Sequence, residues 1–285
     1  MDQLDEILRS EVNRRAFITR MGAAGLGAAA VSLLAGCGGS SATTAVSGFG
    51  DPVNFPGIQG RSQDDLVLNF ALTLEILEAD LYRQALNKAS GRPAGAALDA
   101  TAPTSPSDRG SYTRTIPTGA FANQQLADVA FLYLVQYAYV EAAHRDFLNV
   151  AIQSSGGTPV TRNPGGYNFP LGDDLFSITG LIYAVEETGV RAYLGAAPFM
   201  SNAAITNGLL ATAVAIHSTE ARHSAAVAYT LGLEAGPVFA LAGVTPGRRV
   251  TDGVAAAVGA PYRQQTFQYF SDPAVVLNAV QPFFG

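Results

Sequence analysis

Cysteine occurs once in these 285 residues, tryptophan not at all, and histidine only three times. A single cysteine excludes a framework of internal disulfides. Charge is thin as well. Asp, Glu, Lys and Arg make up 14% of the chain, and the acids outnumber the bases to leave a net charge of −6. That balance argues against a nucleic-acid partner, which needs a clustered basic surface. Apolar content, at 48%, is ample. The chain can therefore bury a full core in one domain with extensions.

The first 36 residues read as an address rather than as fold. Asn13-Arg14-Arg15-Ala16-Phe17-Ile18 resembles the bacterial twin-arginine export signal, in which Arg14 and Arg15 are the paired arginines. The Ala/Gly/Leu run from Met21 to Leu34 is shorter than the roughly 20 apolar residues of a membrane span. Leu34-Ala35-Gly36-Cys37 resembles a lipoprotein cleavage box, with Cys37 as the lipidated residue. Residues 37–62 then form a flexible tether. The expected location is the bacterial cell envelope, periplasm or outer surface, with the membrane reached through the lipid anchor alone.

Four long helices follow in residues 63–235. The first covers about Gln63 to Lys88, after an N-cap at Ser62, with Asn69, Thr73, Asp80, Arg83 and Gln84 on its polar side, expected to be wet. The second covers about Asn123 to Ser154, and the third runs from the Asp173-Asp174 cap to Pro198. The fourth starts after Ser201-Asn202 and fades at Gly232. Residues 89–120 form a long loop insertion, and residues 155–172 are long enough to run the length of a helix. Two antiparallel helix pairs joined by one long crossover make an all-α, ferritin-like four-helix bundle. Residues 236–285, irregular apart from a short helix near Pro273 to Val280, read as a C-terminal strap.

Two of the three histidines sit three residues after a glutamate inside apolar runs: Glu141 and His144 in YVEAAHRDFL, Glu220 and His223 in STEARHSAAV. Residues three apart on a helix lie about 60° from each other, so each pair presents a carboxylate and an imidazole to one side. The other two helices carry glutamates with a tyrosine seven residues on: Glu75 and Tyr82 in LEILEADLY, Glu186 and Tyr193 in VEETGVRAY. Glutamate and tyrosine on one helix, then Glu-x-x-His on the next, occurs twice, and such a repeat suits a two-metal site on its axis. Ser177, Thr188 and Arg191 mark the expected wet side of the third helix, which turns Glu186 inward and leaves Glu187 near the edge. Spacing to Tyr82 favours Glu75 as the ligand on the first helix, with Glu78 an auxiliary or alternative carboxylate. His217 reads as a polar edge residue, Arg145 and Arg222 as solvated or paired outside the site, and Tyr82 and Tyr193 as core tyrosines with satisfied hydroxyls, with an auxiliary redox role as the alternative.

Glutamates from two helices with Glu-x-x-His from the other two resemble the ligand set of the ferritin-like di-iron and di-manganese carboxylate proteins. NFALTLEILEADLY and YAVEETGVRAYLGAAP look like the desiccation-related branch of that superfamily. The resemblance implies metal ligation by Glu75, Glu141, His144, Glu186, Glu220 and His223, and a cofactor of two divalent ions, iron first, then manganese, with zinc third. It implies reaction with dioxygen or peroxide, as Fe(II) oxidation or peroxide scavenging. The competing reading is a metal-free or metal-storing structural envelope protein without catalysis.

Overall fold

The structure, a computed structural model, describes residues 55–163, 165–236, 248–249 and 268–285. Arg14, Arg15, Cys37 and most of the expected tether and strap lie outside these residues.

The first three long helices each start where a short polar side chain takes up an orphan backbone amide. Ser62 accepts from the Asp65 amide to open α1 (Gln63–Ala89), whose first turn carries Asp64 and Asp65. Asn123 accepts from Leu126 at the start of α2 (Gln124–Ser154), and Asp174 from Ser177 at the start of α3 (Leu175–Ala196). Helix α3 stops at Ala196, short of Pro198, and the chain tightens into a 3-10 turn over Ala197–Phe199.

The fourth helix differs from expectation. The chain after Ser201 makes only α4 (Asn202–Thr206), breaks at Asn207-Gly208, and then makes α5 (Leu209–Thr230). Gly208 has φ 85°, a left-handed conformation that a right-handed helix cannot run through.

Contacts between the ends give the topology. The close of α2 meets the start of α1, where Ser155 Oγ lies 3.3 Å from Asp65 Oδ1. The start of α3 meets the end of α1 through Lys88 and Asp173, 2.9 Å apart. After α3 the chain returns to the start of α1, where the Ser201 amide and hydroxyl both donate to Asp64. Helices α1 and α2 are thus one antiparallel pair, α3 and α5 the other, and residues 155–172 cross between them.

The crossover runs along α1 and is bonded to it throughout. Asn69 donates to the carbonyls of Gln59 and Thr158 and accepts from the Val160 amide. Arg162 reaches Asp80 at 3.0 Å, Gln84 donates to the Tyr167 carbonyl, and Lys88 to that of Leu171. The polar side expected for α1 therefore faces protein, not water.

The same correction applies to α3, where Thr188 and Arg191 are buried. A two-residue strand β2 (Tyr269–Phe270), paired antiparallel with β1 (Arg248–Arg249), and the short helix α6 (Pro273–Val280) lie against this helix. Arg191, with 0% of its surface exposed, bonds Glu187 at 3.2 Å. Ser224 and Gln268 also donate to Glu187, so that residue belongs to a buried network and not to an edge.

The outcome is two kinds of helix. Twenty of 27 residues are buried in α1 and 20 of 22 in α3, against nine of 31 in α2 and seven of 22 in α5. The two enclosed helices carry the lone glutamates, and the two outer ones carry Glu-x-x-His. No helix among the described residues is long and apolar enough to cross a membrane.

Asn69→Ala should lower unfolding stability by about 2–3 kcal/mol, because it strands buried backbone groups of the crossover. Urea denaturation of the two proteins checks this; an unchanged midpoint would mean that the crossover is held elsewhere.

Candidate metal centre

The inward sides of α1, α2, α3 and α5 meet near the middle of the bundle. Six of the residues singled out from sequence converge there as two overlapping groups. Glu75, Glu141, His144 and Glu220 form one, and Glu141, Glu186, Glu220 and His223 the other, with ligand atoms within 4.8 Å of one another in each. Glu141 and Glu220 belong to both. The residues come from all four long helices, and the two groups are related by exchanging α1 with α3 and α2 with α5.

The distances between helices follow the same exchange. His144 Nδ1 lies 3.1 Å from Glu141 on its own helix, 3.0 Å from Glu220 on α5 and 3.5 Å from Glu75 on α1. His223 Nδ1 lies 2.7 Å from Glu141 on α2 and 3.6 Å from Glu186 on α3. The tyrosines cross over as well. Tyr193 of α3 donates to Glu75 of α1 at 2.5 Å, and Tyr82 of α1 donates to Glu186 of α3. The seven-residue spacing thus places each tyrosine to hold the glutamate of the opposite helix. Tyr137 stacks on His223 at 3.8 Å between ring centres, a contact that the sequence did not single out. His217 bonds the Val190 backbone and takes no part in either group. Arg145 pairs with Asp146 and Arg222 with Ser218, both away from the centre.

Burial and mutual charge set the protonation of this cluster. Burial, with neighbouring Glu141, pushes Glu75 up to about 7 against the pull of His144 and Tyr193. Burial and the surrounding carboxylates push Glu220 and Glu78 well above the usual carboxylate range. Glu141 is equally buried, yet the hydrogen bond with His144 and the closeness of the His223 ring hold it down to about 2. Burial opposes charge on the histidines, but the carboxylates win, lifting His144 to about 12 and His223 to about 9. Burial first, and then the adjacent glutamates, keep Tyr82 and Tyr193 protonated, as donors must be.

The donor set fits divalent metal ions. Six buried carboxylate oxygens, on Glu75, Glu78, Glu141, Glu186 and Glu220, lack a hydrogen-bond partner. His223 Nδ1 also lacks one, standing close to Glu141 but off the line of a hydrogen bond. Orphaned oxygens and an orphaned imidazole nitrogen around one centre are poorly arranged for one another. They are well arranged for a cation taking mixed nitrogen and oxygen ligands.

A crossover-linked helical bundle with a buried ring of carboxylates and imidazoles defines a scaffold compatible with a di-metal site. The model of the ferritin-like domain matches residues 63–233, and the chain belongs to that family. No curated protein matches the chain.

Metal uptake should release protons. Glu75, Glu220, His144 and His223 all hold protons more tightly than usual, which outweighs the weaker hold of Glu141. Affinity for Mn(II) or Zn(II) should therefore rise steadily between about pH 6 and pH 9. Calorimetry in buffers of different ionisation heat counts the protons; uptake without proton release would contradict this protonation pattern.

Proposed function

We propose that this protein is an exported, envelope-tethered di-metal carboxylate protein. Glu75, Glu141, His144, Glu186, Glu220 and His223 hold two divalent ions, iron foremost, with manganese and then zinc as alternatives. The observation that carries this reading is the pair of overlapping groups sharing Glu141 and Glu220. With neutral imidazoles, four ionised glutamates carry four negative charges, which two divalent ions cancel.

Bound iron would supply one-electron chemistry toward dioxygen or peroxide, giving Fe(II) oxidation or peroxide scavenging. The chain's own residues do the positioning. Tyr193 and Tyr82 orient Glu75 and Glu186 from across the bundle. Tyr137 braces the His223 ring, and the buried aliphatic side chains of α1 and α3 limit water. His144, with 14% of its side chain exposed, is the most open of the six and marks the side from which small molecules reach the centre.

One observation favours the structural, desiccation-related alternative. His144 already stands within ion-pair distance of Glu141 and Glu220, so part of the cluster's charge can be balanced without metal. The order Arg14-Arg15, apolar run, Cys37 supports export and lipid anchoring under either reading.

Protein loaded anaerobically with Fe(II) should hold two irons per chain and gain near-ultraviolet ferric absorption on exposure to peroxide. Glu141→Ala and His223→Ala, checked for helical content, should lose both properties. Wild type without stoichiometric metal would leave the structural reading standing. Separately, Cys37→Ala should move the protein from the membrane to the soluble fraction; continued tight membrane association would overturn the anchor.

A further inference from the structure

The two-fold pattern of the centre is broken at Glu78. One turn beyond Glu75 on α1 stands Glu78, whereas one turn beyond Glu186 on α3 stands Gly189. These two residues face each other. A methyl group added at Gly189 would lie 2.7 Å from Glu78 Oε1, too close for any real side chain unless the carboxylate moved. Glu78 is 2% exposed, its Oε2 has no partner, and its leading charge interactions run to Glu220 and Glu75, ahead of Glu141 and Glu186.

Two features that weaken a fold are therefore combined at one point. A glycine sits in the interior of a buried helix, where it is among the poorest helix formers. A carboxyl with an orphaned oxygen sits in a buried core, where a polar atom without a partner is unfavourable. Packing requires neither, since a larger residue at 189 opposite an apolar side chain at 78 would fill the same space. The helix is cut back to bare backbone where it makes room for a fifth carboxylate at the cluster.

We propose that Glu78 is a seventh metal-directed side chain, seated by the gap at Gly189 beside the Glu75–His144 half of the centre, and that it makes the two cation positions unequal. The inference rests on the dinuclear reading above. Glu78 belongs to neither of the close groups, so it engages by swinging its carboxylate toward an ion held by Glu75 and Glu220. A hard ion such as Mn(II), which prefers oxygen donors, gains most from it. The position on α1 and α2 then fills first and the position on α3 and α5 second.

The test is a Mn(II) titration of the full chain, followed by calorimetry and by the electron paramagnetic resonance of free Mn(II). Wild type should take up two equivalents in two resolved steps. Glu78→Gln, which keeps the shape, should still take up two equivalents but with the first step weakened about tenfold. Gly189→Ala, which pushes the carboxylate aside from the opposite helix, should shift the first step in the same direction. Metal-free Glu78→Gln should melt no lower than wild type, whereas a merely structural Glu78 would lower the melting temperature. Two equivalents in wild type with both constants unchanged in Glu78→Gln would overturn the role of Glu78 alone. Fewer than two in wild type would overturn this inference and the dinuclear reading together.

Discussion

Five glutamate side chains, none more than 2% exposed, face one another inside an apolar bundle. Carboxylates so confined cannot all stay ionised unless positive charge stands among them. Two histidines supply part of that charge, and protons held by Glu75, Glu78 and Glu220 remove part of the negative charge. Six orphaned oxygens remain even so. Cation binding and the folded bundle are in this sense linked: whatever fills the centre also relieves the repulsion among its carboxylates.

The rest of the architecture keeps that cluster dry and in register. The tyrosine–glutamate bonds run in both directions between α1 and α3, so neither helix can slide along the other without breaking both. The crossover bonds to α1 over most of its length, and β2 and α6 lie against α3. Coverage of this kind removes the solvent side that bundle helices usually retain. It also explains the buried Glu187–Arg191 pair, a polar stripe enclosed by a later part of the chain.

Local spacing made the helices and the six converging residues legible, because caps, apolar periodicity and Glu-x-x-His all act within one or two turns. The seven-residue spacing of Glu75 to Tyr82 and Glu186 to Tyr193 showed that each pair shares a helix side. It could not show that each hydroxyl serves the opposite helix. Thr188 and Arg191 read as wet because the residues that cover them lie about 80 positions further on, although the four-residue spacing of Glu187 and Arg191 was a readable ion-pair signal. Asn69 and Asp80 were misread for the same long-range reason. The Asn207-Gly208 dipeptide, a strong turn signal, did mark the break that delays α5. Gly189 showed its meaning only beside Glu78, since nothing in a sequence says which side chain a glycine makes room for.

The unequal enclosure of the helices has an evolutionary corollary. In α1 and α3 nearly every position is walled in, so almost any replacement there disturbs a neighbour. In α2 and α5 most positions keep some exposure to solvent, and Phe147, Val150 and Val214 are about half exposed. Among descendants of this sequence, mutational drift should gather on the outer pair while the inner pair changes slowly, polar residues included. A lineage could then acquire new surface chemistry along α2 and α5 and leave the interior untouched.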